Sequence, residues 1–489
     1  MASAAALLSA ASLLARIVQL ITTSILARIL LPRDYGVVAL AMTAVGLLDV
    51  ISNLQVGGSI IRSSRIDRSH LDTAFTINFI RGLVSATMLL AISIPASMLL
   101  HEPRLAPVIC ALSAIPIING LQNQYFIMYE KDINFRPEFI RLASTSFITA
   151  ATGIASALYF RSYWALVLSS TVSATTYTFF TYWKTPGRPA FSLSRAREML
   201  GFGSWLTLVG IIEYANSRVD VLLIGRGLGS AKLGAYQVGQ QIITTATGDI
   251  VAPLSRAIFP ALSLFADDPV ALRQNYERMQ SVIIGLALPA GMGMSALARE
   301  AILLLLGSRW MQALPVVQFL SPLIALQTML AVVDAVAMTK GRTRSLFNRT
   351  LTVFAVRVTL LVIGFTLGGF MGVIYARVLS GTFYLLYGLG LAGRLTGTPY
   401  LSPVLRSWRS VVSGAAMAAL LYALPQYHGP EGKALALIAV VAGKAALGAL
   451  VYLGVHTLLW WLARRPEGFE SLVVKQAQKI GGKFGLAAA

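Results

Sequence analysis

Residues 11–30 read ASLLARIVQLITTSILARIL, residues 31–36 read LPRDYG, and residues 37–55 read VVALAMTAVGLLDVISNLQ. Both long runs are apolar, and each has the roughly 20 residues that carry a helix across the hydrocarbon core of a bilayer. Pro32 and Gly36 mark a tight turn between them. The stretch is a helical hairpin in a membrane, and it returns 198 positions later. Residues 207–253 read TLVGIIEYANSRVDVLLIGRGLGSAKLGAYQVGQQIITTATGDIVAP, with Arg226 in the place of Arg28, Leu228 in that of Leu30 and Gly234 in that of Gly36. A helix pair repeated across half a chain is how many transporters build two lobes around a central site.

Outside this hairpin the composition is of the same kind. The chain has 489 residues, of which 56% are hydrophobic and only 12% charged, whereas soluble domains carry about 25% charge. Apolar windows recur along the whole length, so the protein is expected to be an all-α polytopic membrane protein. The first apolar run is too long for a cleavable signal peptide and lacks a basic leader. The single cysteine, Cys110, lies in an apolar run, which leaves no disulfide framework or cysteine metal site and reads as packing. The net charge of +20 is spread singly between apolar runs, which argues against a nucleic-acid face. The positive-inside rule accounts for most of the excess, and an anionic substrate would account for the rest.

Fourteen spans are expected, at about 5–28, 36–57, 72–100, 105–128, 138–160, 163–183, 200–224, 234–258, 279–306, 313–338, 346–367, 370–393, 403–425 and 434–463. Every even-numbered connection is basic, from Arg62, Arg65 and Arg68 in the second to Arg394 and Arg406 in the twelfth. The odd ones hold one or two basic residues at most, which puts both termini in the cytoplasm. The repeat then gives a first lobe at 1–197 (spans 1–6), a second at 198–396 (spans 7–12), spans 13 and 14 at 397–465, and a basic cytoplasmic tail at 466–489. Six is an even number, so the two six-helix lobes share one orientation and form a parallel pseudo-twofold repeat. No connection exceeds about two dozen residues, which leaves no room for an extramembranous catalytic domain of ordinary size.

Charges inside spans are costly and mark functional candidates. Arg16, Gln19 and Thr23 share one face of span 1, and Asn78, Arg81 and Ser85 repeat that spacing in span 3. Arg16 and Arg81 lie about 15 Å from the cytoplasmic surface at ~1.5 Å per residue, and neither has an acid on the same face of its own helix. Arg357 in span 11 is comparably deep. Arg256 is shallower, and it and Arg62 read equally well as positive-inside residues. Span 7 carries Glu213, Asn216, Ser217 and Asp220 in one stripe, with Arg218 expected to pair with one of the two acids. Span 8 carries Gln237, Gln240, Gln241 and Thr244 in another. Such amides and hydroxyls suit sugar hydroxyls and serve equally as interhelical glue. The acids Asp49, Glu213, Asp220, Asp249 and Asp334 are candidates to carry a proton or sodium ion. His70, His101, His428 and His456 are scattered, and the absence of DxD and HExxH elements argues against a membrane enzyme such as a polymerase or ligase.

The turn ARILLPRDYGVVALA (27–41) followed by LLDVISNLQVGGSIIR (47–62) resembles the polysaccharide-transporter, Wzx-type branch of the multidrug/oligosaccharidyl-lipid/polysaccharide superfamily, and within it the exopolysaccharide and colanic-acid-like flippases. Leu30, Pro32, Asp34, Tyr35 and Gly36 carry the most specific part of the likeness. The resemblance implies two six-helix bundles around a cationic cavity that opens alternately to each side. It implies an undecaprenyl-diphosphate-linked oligosaccharide as substrate, carried from the cytoplasmic to the periplasmic leaflet of the bacterial inner membrane and coupled to a cation, with no other cofactor. Arg16, Arg81, Arg256, Arg357 and Arg62 would hold the diphosphate, since guanidinium forks suit phosphates. Gln19, Asn78, Gln237, Gln241 and Thr244 would face the glycan, and Glu213, Asp220, Asp249 and Asp49 would couple the cation. Arg256 would stand opposite Arg16 at a portal between spans 1 and 8. Membrane lipids, and polysaccharide polymerase and chain-length or export proteins, are the implied partners. Spans 13 and 14 resemble the extra helices of lipid II flippases. A lipid II flippase and a multidrug exporter stand as alternatives, although an exporter of cations predicts an acidic cavity where the deepest charges here are arginines. The second turn, Gly229 to Gly234, lacks the proline and aspartate of the first, so the repeated turn is expected to be structural.

Overall fold

A computed structural model describes residues 2–52, 67–132, 134–196, 204–400, 402–427 and 434–464, apart from the side chains at 2–9, 130, 204–208, 249–257, 404 and 434. The described residues are helical, with no strand among them. In chain order the helices are α1 (Ala2–Ile29), α2 (Pro32–Ser52), α3 (Arg68–Leu99), α4 (Leu105–Leu112), α5 (Ala114–Gly120), α6 (Ile127–Lys131), α7 (Arg136–Phe160), α8 (Trp164–Tyr182), α9 (Ser204–Ser263), α10 (Pro269–Ala296), α11 (Ala298–Leu305), α12 (Leu314–Gln327), α13 (Leu330–Thr339), α14 (Thr343–Thr396), α15 (Ser402–Arg406), α16 (Trp408–Ala423) and α17 (Ala434–Leu462). The basic tail at 466–489 lies outside the described residues, as does Arg62.

Eight helices among the described residues are long and apolar enough to cross a membrane. The expected fourteen are not reached by that measure: α8 and α9 fall outside it, and other spans are merged or broken. Spans 7 and 8 run together as α9, bent where Gly229 adopts φ +83°, and spans 11 and 12 run together as α14, bent where Gly369 adopts φ +53°. Only glycine takes such values without strain, so both bends are written in the sequence. Span 4 is broken into the two short helices α4 and α5, and span 13 yields the 16-residue α16.

The chain divides into two compact units, Met1–Val238 and Gly239–Ala489. The division falls inside α9, downstream of the 197/198 boundary read from the linker. In the first unit α1 packs on α7, α7 on α8, and α3 on α4 and α5. Leu26, Leu30, Ala157 and Ala165 form one apolar seam, and Leu71, Ala74, Ile77 and Tyr125 another. The turn between α1 and α2 is closed by the Asp34 carboxylate, which accepts the Leu31 N–H at 2.9 Å. The basic linker after α8 is strapped along α3. Asp72 Oδ1 accepts from the Tyr125 hydroxyl and the Ala190 N–H, both at 3.0 Å, and Thr76 Oγ1 accepts the Ser192 N–H at 2.9 Å. Phe191 sits against Phe75 and Phe79, with ring centres 5.4 and 5.6 Å away. Asp72→Ala orphans two donors at about 1–3 kcal/mol each. It is expected to speed tryptic cleavage after Lys184 and Arg195. Unchanged cleavage would mean that the phenylalanine ring and the Thr76–Ser192 hydrogen bond hold the strap without Asp72.

In the second unit α10 is the axis, packed on α12 and α16, while α12 and α13 pack on α14. Its start is set by Asp268, whose carboxylate accepts the N–H groups of Val270 and Ala271 at 2.9 and 3.0 Å ahead of Pro269 in the first helical position. The core joins Leu272, Tyr276, Ile283, Ile284, Ala287 and Leu288 of α10 to Met329, Val332, Val333 and Val336 beside and within α13. The last two helices are tied back to this body by polar groups. Tyr452 donates to the Gly285 carbonyl at 2.9 Å, Ser295 and Tyr422 share a hydroxyl hydrogen bond of 2.9 Å, and Lys444 meets Glu300 at 2.6 Å.

Candidate functional site

In the first unit the stretch of α9 before Gly229 runs antiparallel to α2 at close range. Gly225 lies under Leu40, Gly46 lies under Tyr214, and Gly210 faces Val50. A Cβ at Gly46 would stand 2.4 Å from the Tyr214 hydroxyl, which donates to the Thr43 carbonyl at 2.8 Å. Small residues let membrane helices approach in this way. The last turn of α2 carries Asp49 and Ser52, and α3 meets it with Arg81 and Ser85. Arg81 Nη2 lies 3.6 Å from Asp49 Oδ1, and Ser85 donates to Ser52 Oγ at 3.1 Å. Arg218, one turn further along α9, stands over the Tyr214 ring, 5.7 Å from its centre. Three helices thus bring two arginines, a carboxylate, a phenol and two serines together.

Arg81 has an acid after all, supplied by the neighbouring helix, where a same-face search along α3 has no means of finding it. The pair is loose: the Arg81 side chain is 20% exposed and that of Asp49 57%. Asp49 occupies one edge of the guanidinium, and among the described residues no other hydrogen-bond acceptor or carboxylate engages Arg81. The salt bridge expected for Arg218 is not formed; Tyr214 takes its place. Asp220 is buried, accepting from the Tyr236 hydroxyl and from the Val221 N–H at 3.0 Å, while Glu213 is exposed. On α1, Arg16 is half-buried, and the exposed Gln19 donates to Thr23 Oγ1 at 3.4 Å, one helical turn on. Asn78 is half-buried, one turn before Arg81. In the second half of α9, Gln237 is half-buried and Gln241 and Thr244 are exposed; the Thr244 hydroxyl bonds back to the carbonyls of Gln240 and Gln241 at 3.1 and 3.0 Å. The side chains of Arg256 and Asp249 lie outside the described residues.

In the second unit Arg357 is buried in α14. Asp334 is held by Arg349 at 2.7 Å, and the Arg349 guanidinium also lies 5.1 Å from the Tyr384 ring centre, which gives this acid a structural tie. The sequence pattern alone did not single out a cavity of about 1420 Å³ where the start of α10, the α14–α15 connection, the start of α16 and the end of α17 meet. Arg273, Arg278, Arg406 and Arg409 line it. Three of these belong to basic connections that positive-inside counting absorbs, and Arg409 is separated from them by Trp408, so no spacing rule joins the four.

Residues 25–315 match the family of polysaccharide biosynthesis proteins. Among curated relatives, the lipopolysaccharide biosynthesis protein WzxC of Escherichia coli is 26% identical over 362 residues, 72% of this chain and 73% of its own. The succinoglycan biosynthesis transport protein ExoT of Rhizobium meliloti is 26% identical over 304 residues, 62% of this chain and 61% of its own. Among solved structures, the lipid II flippase MurJ in an inward closed conformation superposes with a TM-score of 0.73 at 13% identity, covering 94% of this chain and 99% of MurJ. An inward-facing multidrug MATE transporter reaches 0.62 at 12% identity, over 78% and 96%. The two structures are similar in fold.

Proposed function

The chain belongs to the polysaccharide biosynthesis protein family, and from that premise we propose that it flips a lipid-linked oligosaccharide repeat unit across the membrane for extracellular polysaccharide synthesis. The reading is supported by relatives named for lipopolysaccharide and succinoglycan biosynthesis, by the MurJ-like fold, and above all by the half-buried Arg81, which has one exchangeable carboxylate partner among the described residues. The substrate is an undecaprenyl-diphosphate-linked glycan, moved from the cytoplasmic to the periplasmic leaflet of the inner membrane, and both chain termini are cytoplasmic. Polymerase and chain-length or export proteins take up the product.

Arg81 and Asp49 supply the working pair. A guanidinium offers five N–H donors in a fixed fork, and a diphosphate outbids one carboxylate at 3.6 Å because it presents more charge and more acceptors. Asp49, exposed and released, is then the group that takes up a proton or sodium ion. Cation binding at Asp49 weakens its hold on Arg81 and favours the loaded state; cation release restores the internal pair and expels the anion. Binding of cation and diphosphate is thereby linked through one shared guanidinium. Arg16 on α1 is the second diphosphate candidate in the same unit, with Asn78 and Gln19 available to sugar hydroxyls. Glu213 is the second coupling candidate.

The test is reconstitution of the full chain in vesicles with undecaprenyl-diphosphate-linked oligosaccharide, scoring leaflet exposure with time. Arg81→Ala is expected to slow translocation by at least about tenfold, since hydrogen bonds to charged groups contribute roughly 1.5–3 kcal/mol, with membrane insertion intact. Asp49→Asn keeps substrate binding and loses the response to an imposed ion gradient. Wild-type translocation by Arg81→Ala would remove the diphosphate role, and transport of a cationic dye in place of the lipid would favour the exporter reading.

A further inference from the structure

The cavity in the second unit has features that the transport cycle does not use. Four arginines, Arg273, Arg278, Arg406 and Arg409, face it against one acid, Glu277. Glu277 is buried and acts as a clamp: Oε1 lies 3.4 Å from Arg273 Nε and Oε2 lies 2.8 Å from Arg406 Nη1, while Ser402 Oγ donates to Oε1 at 3.5 Å. One buried carboxylate therefore arranges two guanidinium groups and leaves the site with a net excess of positive charge. Among the described residues Arg278 is exposed and has no carboxylate or hydrogen-bond acceptor. The rim is apolar. Val270 is 65% exposed, Leu405 64% and Trp408 43%, and all three line the cavity.

A soluble anion would need the arginines and nothing else. A cationic floor beneath an exposed apolar rim, with a tryptophan on it, matches a ligand whose charged end joins hydrocarbon. Tryptophan concentrates at the membrane interface, and basic pockets between membrane helices bind anionic lipid headgroups. The end of the long apolar α17, at Ala463, also borders the cavity, which places it where a spanning helix leaves the bilayer.

We propose that the cavity at the ends of α10, α16 and α17 is a headgroup site for an anionic phospholipid, with the phosphodiester on Arg273, Arg278, Arg406 and Arg409 and the glycerol-acyl region on Val270, Leu405 and Trp408. The site is separate from the Arg81–Asp49 pair and binds a bulk membrane lipid, so it gives the protein a dependence on the acidity of the surrounding bilayer that its substrate does not explain.

The test uses the full chain purified in a neutral detergent, titrated with phosphatidylglycerol, phosphatidylcholine or the soluble sn-glycerol 1-phosphate, and read by the midpoint of thermal unfolding. Phosphatidylglycerol is expected to raise the midpoint at concentrations where phosphatidylcholine does not. Arg278→Gln with Arg406→Gln should weaken the phosphatidylglycerol effect by about thirtyfold, from roughly one surface-lipid contact energy per arginine. Arg406 also pairs with the buried Glu277, so each variant is referred to its own lipid-free midpoint. Arg278→Gln alone, exposed and outside that pair, should weaken the effect by about fivefold. Trp408→Ala should weaken phosphatidylglycerol selectively. Equal responses of wild type and double variant, or no preference over phosphatidylcholine, overturn the site. An equal response to sn-glycerol 1-phosphate that survives Trp408→Ala assigns a free phosphate and overturns the lipid. Translocation of the sugar-linked lipid is not the readout, so failure here leaves the transport reading standing.

Discussion

Lys444→Ala is expected to destabilise the protein by about 3–5 kcal/mol, the usual cost of removing one partner of a buried ion pair. Glu300 is only 1% exposed, and the Lys444 side chain is 10% exposed. Their 2.6 Å contact crosses from α17 to α11, and the Tyr427 N–H also points at the Glu300 carboxylate, at 3.4 Å. Without the ammonium, a carboxylate is left in a dry setting with one weak amide donor. The charge is uncompensated, and the cost falls on the seam that fastens the last helix to the rest of the second unit. Neighbouring ties at Tyr452 and Tyr422 limit the damage to a lowered midpoint of thermal unfolding in detergent. The double variant Glu300→Leu with Lys444→Leu separates charge burial from lost packing, because replacing both partners of a buried pair by apolar groups is often neutral. It should recover most of the loss. A Lys444→Ala protein as stable as wild type would show that Glu300 is satisfied by other means.

That pair also shows where the sequence stops being legible. Lys444 and Glu300 are 144 positions apart, so no helical period connects them. Arg81 and Asp49 are on successive helices, and the face-sharing rule applied along α3 had no access to α2. Periodicity reports what a single helix presents, and spans, loop charge and the 198-residue repeat are of that kind. They placed the helices, and they brought forward Arg81 and Asp49 separately, as an anion binder and a cation carrier. Their pairing is a property of packing. The same limit applies to the four-arginine cavity, whose members come from three connected stretches. It applies as well to Arg218, which sequence proximity assigns to Asp220 or Glu213 but which the geometry of α9 turns onto Tyr214. The polar glycan candidates on α9 divide in the same manner: Gln241 and Thr244 remain exposed, whereas Gln237 is half-buried, a distinction set by which face of α9 is covered.

Gly36→Ala and Gly234→Ala are each expected to be among the most damaging single substitutions in the chain. The two glycines occupy equivalent places in the repeat, and the structure sets each against the turn of the other. A Cβ at Gly36 would stand 1.8 Å from the Ser230 carbonyl oxygen, and one at Gly234 would stand 1.7 Å from the Pro32 carbonyl oxygen. Both obstacles are backbone, so no rotamer change relieves them, and the turns must separate. Overpacking costs typically about 1–3 kcal/mol where side chains can adjust; here the upper end or beyond is expected, with lower yield in the membrane and a lower unfolding midpoint. Gly454→Ala is the control, since α17 leaves open space at that position and alanine is about 1 kcal/mol better than glycine inside a helix. One outward displacement of the two turns makes room for both methyl groups. The double variant Gly36→Ala with Gly234→Ala should therefore lose clearly less than the sum of the single losses, the signature of two sites coupled through one backbone shift. Strict additivity, or a Gly36→Ala protein as stable as Gly454→Ala, would refute the reciprocal contact. A sub-additive loss would mean that the repeated turn persists in both halves because each copy is the surface on which the other rests, which explains why its glycine recurs when its proline and aspartate do not.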